Sequence, residues 1–538
     1  MKDSETPTNK QSATARMAIA LFLLLLGIYS LFVAPICIDN LVDFKMTENI
    51  VRRGEFNANG LTGPMRQHLT REDTSGDLLP KRGIGQSLLQ IPFYVVGDTI
   101  GRLSSSPGAR RNMAAFAICM MNPMVTAATA AILFLFCMNL GYSRLASLGT
   151  ALCYGLGSMA FVHALYNWNS LIIAFCILAA FYLLHRNTLR SSPTILLLAG
   201  TCIASGILIR ISAVISIPML LLYLFVTTFT KVNTKASTKQ TLKASILFLA
   251  PLILMLIVIM WMNHIWFGSA VMTGYGDDPE LFMTVWRKFW LKNVMESLWG
   301  DNAGILLYAP LLLLSAFGIP SFIKRHPREG VATLGLILSI FVFYCFFWPC
   351  TSVSLTWGNR FIFPVLPLAV VPTVAAIERL RTLGKTVPAI LVVCIISSSA
   401  VQLPGATQFI YRQEYFTELL KPHDFQFPTS RLKMHARDLL RGDHNIWWLR
   451  GYEELVDSNL RVNAESSMPA ALPLRFPSGW LALLPFSTIL SAVAYLFFSR
   501  ERQSEQTEQT NCLIGWPETD PVGQSRLPHH RTCGSAYG

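Results

Sequence analysis

Residues Met17–Cys37 read MAIALFLLLLGIYSLFVAPIC, and residues Ile38–Asp43 directly after them read IDNLVD. The first stretch is almost wholly apolar and long enough for a helix to cross a hydrocarbon core of roughly 30 Å. The second turns abruptly polar, which places Asp39 just past the end of a span, at the head of a long hydrophilic segment. A carboxylate fixed at a membrane surface can take a proton from a substrate held in lipid. The apolar stretch is too long for a signal-peptide core and no small-x-small cleavage site follows it, so a retained anchor is expected.

The rest of the chain repeats this pattern. Its 538 residues are 52% hydrophobic and only 14% charged, against about 25% charged in soluble domains. That balance, with apolar runs of similar length along the chain, gives an all-α polytopic membrane protein. About twelve spans fit the runs, near 17–37, 112–138, 144–162, 169–185, 193–209, 211–229, 244–265, 303–322, 331–349, 361–379, 386–403 and 478–498. With the N-terminus inside, every short inner loop is basic, the clearest being Lys231, Lys235, Lys239 and Lys243. The positive-inside rule then puts both termini in the cytoplasm and the long loops outside a plasma (inner) membrane. The net charge of +13 is accounted for by these loops and by anionic lipid surfaces. No basic stripe interleaved with aromatics marks a nucleic-acid partner.

The expected organisation is a cytoplasmic N-terminus at 1–16, a transmembrane core over 17–403 with its first outer loop at 38–111, an outer-face subdomain at 404–477, a last span at 478–498, and a disordered cytoplasmic tail over 499–538. Within the first loop, Leu41, Phe44 and Val51 fall at helical spacing, ending near Gly54. A second apolar stretch, 84–103, is interrupted by Pro92, Gly97 and Asp98. Both read as helices lying on the outer face, joined by a polar connector over 57–77.

Several residues carry candidate chemistry. Asp39 is a good N-cap for the helix after it, a role compatible with acting as a base. Asp43, one turn on, is the second choice and is expected to be a solvated surface acid. Lys81 and Arg82 precede Gly83-Ile84-Gly85 and suit either a phosphate or lipid headgroups. Arg360 stands in Trp357-Gly358-Asn359-Arg360-Phe361 at the mouth of a span. His163, Asn167 and Asn169 form a polar outer turn. Arg210 lies between long apolar runs, where an ionisable group is expensive and faces a partner or a cavity. None of the eleven cysteines sits in a CxxC pair, and no HExxH, Walker A or dinucleotide fingerprint appears in a supporting context. No cofactor is identified and nothing supports a divalent metal.

Four segments resemble, in order, the motifs of the GT-C membrane glycosyltransferases, in particular the ArnT-like and protein O-mannosyltransferase-like branch. Asp39-Asn40 with Gly54 is similar to the first-loop motif, with Asn40 where a Glu is usual. Lys81 to Leu89 is similar to the second surface-helix motif, with Lys81-Arg82-Gly83 in place of Lys-Pro-Pro. Trp266 to Gly276, with Tyr275, and then Gly304 to Pro310 resemble the central loop and the span after it. Trp357 to Phe361 resembles a segment preceding a Pro-bearing span. The resemblance covers roughly residues 15 to 380. It implies a polyprenyl-phosphate-linked sugar as donor, an acceptor lipid, glycan or protein on the outer face, and inversion at the anomeric carbon. It also implies Asp39 as general base and Lys81 or Arg82, with Arg360, on the donor phosphate. Independently of the resemblance, Asn40, Asp43, His163, Asn167, Tyr275, Trp357 and Asn359 are expected as candidates to line the site. The alternative reading is a transporter or flippase of a lipid-linked or hydrophilic solute. The scarcity of acids within the spans favours the enzyme.

Overall fold

The apolar segments fold as helices throughout the computed structural model, which describes residues 7–34, 36, 40–61, 69–103, 109–229, 235–276, 290–301, 303–347, 356–381, 387–407, 431–441, 484–493 and 495. The chain forms two compact units, residues 1–492 and 493–538. The second unit, and with it the expected tail, lies almost wholly outside the described residues, as does most of 404–477.

Seven described helices are long and apolar enough to cross a membrane: Gln11–Ser30, Arg110–Asn139, Asn169–Leu189, Ile211–Phe229, Thr238–Phe267, Pro327–Phe346 and Phe363–Leu380. Pro193–Ile209, Val393–Thr407 and Leu484–Val493 are shorter apolar helices. Two of the expected spans are broken. The run 144–162 splits into Arg144–Gly155 and Ala160–Leu165, because Ser158 turns the chain and its hydroxyl accepts from the Ala160 N–H at 3.2 Å. The run 303–322 holds one helical turn, Ile305–Tyr308, and resumes at Leu312, with Pro310 lacking the N–H that continuity would need.

The elements that position the site are α1 (Pro7–Ser30), α2 (Leu41–Arg53), strands β1 (Thr70–Glu72) and β2 (Leu78–Pro80), α3 (Gly85–Gly101), α4 (Ala109–Cys119), α5 (Met121–Asn139), α6 (Arg144–Gly155), α7 (Ala160–Leu165), α8 (Asn169–Leu189) and α9 (Pro193–Ile209). Helix α2 ends where Gly54 takes φ 72° and its N–H closes on the Ile50 carbonyl at 3.1 Å, a left-handed stop that favours glycine. Its N-cap position falls on Asn40 and carries no side-chain cap bond; Asp39 lies outside the described residues. Helix α3 runs unbroken through Pro92 and packs on both α2 and α4. Gly97 lets it meet the α4 backbone at Met113 and Ala114, where any Cβ would collide.

The polar connector also folds. β1 and β2 pair antiparallel, Thr70 opposite Pro80, around a turn in which Asp73 Oδ1 accepts from the N–H groups of Ser75 and Asp77, both at 2.8 Å. Asn59 donates to Asp77 at 2.6 Å and accepts from the Leu78 N–H at 2.9 Å, while Asn49 of α2 donates to the Asn57 carbonyl at 3.1 Å. The connector is thus held on α2 by its own amides, with Val42, Met46, Ala58, Leu69, Leu78 and Ile84 buried beneath it.

Candidate active site

The first half of α3 faces α2 and the α7–α8 turn, and its inward side chains are uncharged amides and a hydroxyl. Ser87 donates to Asp43 Oδ1 at 3.4 Å. Thr47 Oγ1 lies 2.7 Å from the Asp43 carbonyl, 3.0 Å from the Ser87 carbonyl and 3.1 Å from Gln90 Oε1. Asp43 is 1% exposed, not the solvated acid its sequence position suggests: the crossing of α3 covers it. Gln86 donates to the Asn167 carbonyl at 2.8 Å, which ties α3 to the turn after α7. That turn is braced from below by Asn122 of α5, whose amide donates to the carbonyls of Tyr166 and Trp168 at 2.6 and 2.9 Å.

His163, on α7, continues the path. Its Nε2 sits 2.9 Å from the Trp357 carbonyl, which assigns the proton to Nε2 and leaves Nδ1 as an acceptor. The ring stacks on Phe363 at 4.5 Å and meets Trp168 edge-on at 4.6 Å. Burial pushes its pKa down to about 3, and the Arg360 charge pushes the same way, so His163 is neutral at physiological pH and is not a proton carrier there. The 357–361 segment is itself clamped. Trp357 Nε1 donates to Gln402 at 3.0 Å, Gln402 donates to the Tyr308 carbonyl at 2.8 Å, and Asn359 Oδ1 accepts from the Phe361 N–H at 3.0 Å.

Arg360 lies with its guanidinium 5.2 Å from the Phe361 ring centroid. Arg210 lies 4.5 Å from the same ring and 5.6 Å from that of Tyr344. Two residues before Arg210, the chain closes the circuit. Gly83 abuts the Leu208 carbonyl, and a Cβ at Gly85 would come within 2.7 Å of the Ile209 nitrogen, so only glycine lets the Lys81–Arg82 turn seat on the end of α9. The contacts therefore run from α2 through α3, the α7–α8 turn and the 357–361 segment to Arg210, and back to α3. An arginine over aromatic faces is held by the ring quadrupole, and its planar guanidinium matches the geometry of an oxyanion.

The candidate residues thus sort themselves. Asn40, Asp43, Asn167, His163, Trp357, Asn359 and Arg360 lie along this circuit, with Lys81 and Arg82 at its edge, half-buried. Tyr275 is 44% exposed. Its turn is pinned by Arg71, which donates to the Thr273 carbonyl at 3.1 Å, and Gly274 packs against Lys81; it neighbours the site without being enclosed by it. Asn169 is buried. Among the described residues, no three His, Cys, Asp or Glu side chains group as a metal-ligand set.

The structure adds residues that the sequence reading did not place in the site: Arg210, Gln86, Ser87, Gln90 and Asn122. Gln86 and Gln90 stand four apart in an apolar stretch, a one-face signal present in the sequence. Several buried polar atoms here have no protein hydrogen-bond partner among the described residues: both amide atoms of Asn40, Gln86 Oε1, Gln90 Nε2, Asn167 Nδ2 and His163 Nδ1. Buried polar groups are normally paired, so this concentration of donors and acceptors is suited to a polar ligand.

No protein-family profile and no curated protein matches the chain. Several solved structures are similar in part, among them the following three. An archaeal oligosaccharyltransferase, AglB from Archaeoglobus fulgidus, in complex with an inhibitory peptide and a dolichol-phosphate, is 12% identical with TM-score 0.46, over 86% of this chain and 69% of that one. ArnT from Cupriavidus metallidurans in the apo state is 11% identical with TM-score 0.43, over 90% of this chain and 76% of that one. The Archaeoglobus fulgidus oligosaccharyltransferase in its apo form is 13% identical with TM-score 0.45, over 90% of this chain and 65% of that one.

Proposed function

We propose that the protein is a membrane glycosyltransferase that moves a sugar from a polyprenyl-phosphate donor to an acceptor hydroxyl on the outer face of the membrane. The observation that carries this reading is the placement of Arg210 and Arg360 on one aromatic ring beside the Lys81–Arg82 turn. Two guanidiniums on one aromatic ring, with the Lys81–Arg82 turn seated on the chain next to Arg210, suit a phosphate whose charge grows as it leaves.

The acceptor hydroxyl gives its proton to the Asp39 carboxylate as its oxygen attacks the anomeric carbon. The bond from that carbon to the phosphate oxygen breaks, the electron pair leaves with the polyprenyl phosphate, and the configuration inverts. The fixed guanidiniums meet the developing charge without reorganising. The Asn40 amide and the unpartnered Gln86 Oε1, Gln90 Nε2 and Asn167 Nδ2 are suited to sugar hydroxyls, which both donate and accept. His163 holds the 357–361 segment through the Trp357 carbonyl and so orients Arg360.

The test is mass spectrometry of cell-envelope lipids and glycans with and without the protein, repeated with Asp39→Asn, whose amide cannot take the acceptor proton. A sugar-modified species present with the parent and absent with Asp39→Asn supports the proposal. Equal modification by both removes Asp39 as the base, and no difference with and without the protein overturns the transferase reading.

A further inference from the structure

Two further helices, α10 (Trp290–Trp299) and α11 (Pro327–Phe347), meet at one aromatic contact. The Trp290 ring stacks on Phe346 with centroids 5.6 Å apart and planes 9° apart. Asn293 of α10 donates to the Cys345 carbonyl of α11 at 3.0 Å, and Asn359 donates to Ser297 Oγ of α10 at 3.3 Å. Asn293 and Ser297 stand four apart, on one face of the helix, and both are buried. Val294 and Leu298 are partly buried against the core. The inward face therefore carries the amide and the hydroxyl of this helix.

Its other face is apolar. Leu291, Met295 and Trp299 follow one another at intervals of four, so they form one line, and they are 57%, 56% and 62% exposed. A helix bathed in water turns such a line inward and its amides outward; α10 does the reverse. Lys292 is exposed beside Leu291, and a lysine stem can lie along apolar surface while its ammonium reaches a polar layer. With ten residues, α10 is about 15 Å long, half of what crossing a hydrocarbon core requires.

The neighbouring helix indicates what covers the line. On α11, itself long and apolar enough to span, Val331, Leu338 and Val342 are exposed at spacings that keep them on one side. Phe346 follows Val342 by one turn, so the Trp290–Phe346 stack carries that apolar surface over to α10. The start of α11 is flanked by Lys324, Arg325 and Arg328, which the positive-inside rule assigns to the cytoplasm. Phe346 lies roughly 28 Å further along the axis at the α-helical rise, the far boundary of a core of roughly 30 Å.

We propose that α10 lies along the outer-leaflet interface, with Leu291, Met295 and Trp299 against phospholipid acyl chains near the glycerol level. A tryptophan at each end suits that layer, where amphipathic rings collect. The Ser297–Asn359 bond then ties the residue before Arg360 to this depth. The proposal is independent of sugar transfer, since a chain inactive as a transferase still displays this face.

Photolabelling of the full-length protein in phospholipid vesicles tests it. Trace phosphatidylcholine carries a diazirine either near its ester or at the end of its acyl chain, and adducts are mapped by peptide mass spectrometry. Val342 serves as the lipid-facing reference, and the exposed Thr74–Gly76 turn as the aqueous one. The near-ester probe should modify the Trp290–Trp299 peptide about fivefold more than the turn, and more than the chain-end probe does. Labelling no greater than that of the turn with both probes, while Val342 is labelled, overturns the proposal and leaves the line to a protein partner. Stronger labelling by the chain-end probe also overturns it, by placing α10 at the bilayer centre.

Discussion

The two halves of α3 treat polar groups in opposite ways. Toward its N-terminus, Gln86, Ser87 and Gln90 are buried and neutral, and two of them carry atoms with no protein partner among the described residues. Toward its C-terminus, Asp98 is equally buried but charged, and three guanidiniums surround it. A buried charge survives only when paired, so the second cluster is complete as a piece of structure and should matter chiefly to stability. A buried neutral amide can remain half-satisfied at a modest cost of about 1–3 kcal/mol, and that cost is recovered when a ligand arrives. The first cluster should therefore matter chiefly to function.

The sharpest way to break this contrast is at the cationic corner. Arg210→Ala should reduce sugar transfer by about 10²–10³, the loss of one preorganised oxyanion contact of about 2–4 kcal/mol. Arg210→Lys should recover only part of it, lacking the planar two-point grip. Arg360→Ala and Lys81→Ala should fall in the same range. Initial rates with a polyprenyl-phosphate sugar measure this; parent-like rates for Arg210→Ala would detach the Phe361 corner from the chemistry.

Asp98→Asn should do the reverse. It removes the counter-charge from three clustered arginines and should destabilise the protein by about 2 kcal/mol, less than a fully enclosed pair because the arginines are wet, with transfer by the folded fraction unchanged. Thermal unfolding in detergent reads this. The Arg110 bond, set against burial, and the Arg102 bond hold the Asp98 carboxyl below its ordinary value. Burial raises Glu48, but the Lys45 bond and the nearby arginines bring it below its ordinary value overall. Both contributions are therefore present above the unfolded carboxylate range near pH 4 and fade as pH falls through the lower folded values.

Gln90→Leu should sharpen the comparison from the other side. It removes a buried amide whose Nε2 has no protein partner, so stability should change by less than about 1 kcal/mol, while the Michaelis constant for the donor or the acceptor rises. A large loss of stability with unchanged kinetics would make the amide cluster structural. The remaining effect belongs to His163 and shows only as pH falls. Its folded pKa of about 3 lies below the unfolded value near 6.5, so the unfolded chain binds the extra proton and stability falls as pH drops below about 6.5. His163→Gln should flatten that slope between pH 7 and 5, measured as the difference in unfolding temperature from the parent.

Local rules carried the helix α2. The α2 pattern, with a glycine at its end, is written within fifteen residues of sequence, and the left-handed Gly54 ends it where the spacing says. The helical segments of the membrane core follow from length and hydropathy in the same way. What the sequence hides is set by distant chain. Asp43 reads as a surface acid until α3, forty residues later, crosses it. The break at Ser158 interrupts a run that hydropathy alone treats as continuous. Arg210 stands out by its cost in an apolar setting, but the ring that shelters it belongs to Phe361. That pairing is a fact of tertiary packing, with no trace in the residues around either partner. Asp39, central to the chemistry proposed, lies outside the described residues, and its role rests on its place in the sequence.

The packing around Trp357 has a consequence for engineering. Its indole is fully buried and is touched by the helices Val387–Thr407 and Arg431–Leu440. His435, on the helix Arg431–Leu440, meets it edge-on at 5.5 Å. At Gly405, any added Cβ would come within 2.5 Å of the ring. Three residues after that indole stands Arg360. Among the described residues, the Trp357 indole is thus held by Gln402, Gly405 and His435 together. A graft that replaces the stretch between them while keeping Gly405 and His435 should leave Arg360 where it is. A chimera that enlarges Gly405 would shift the guanidinium even with every other contact intact.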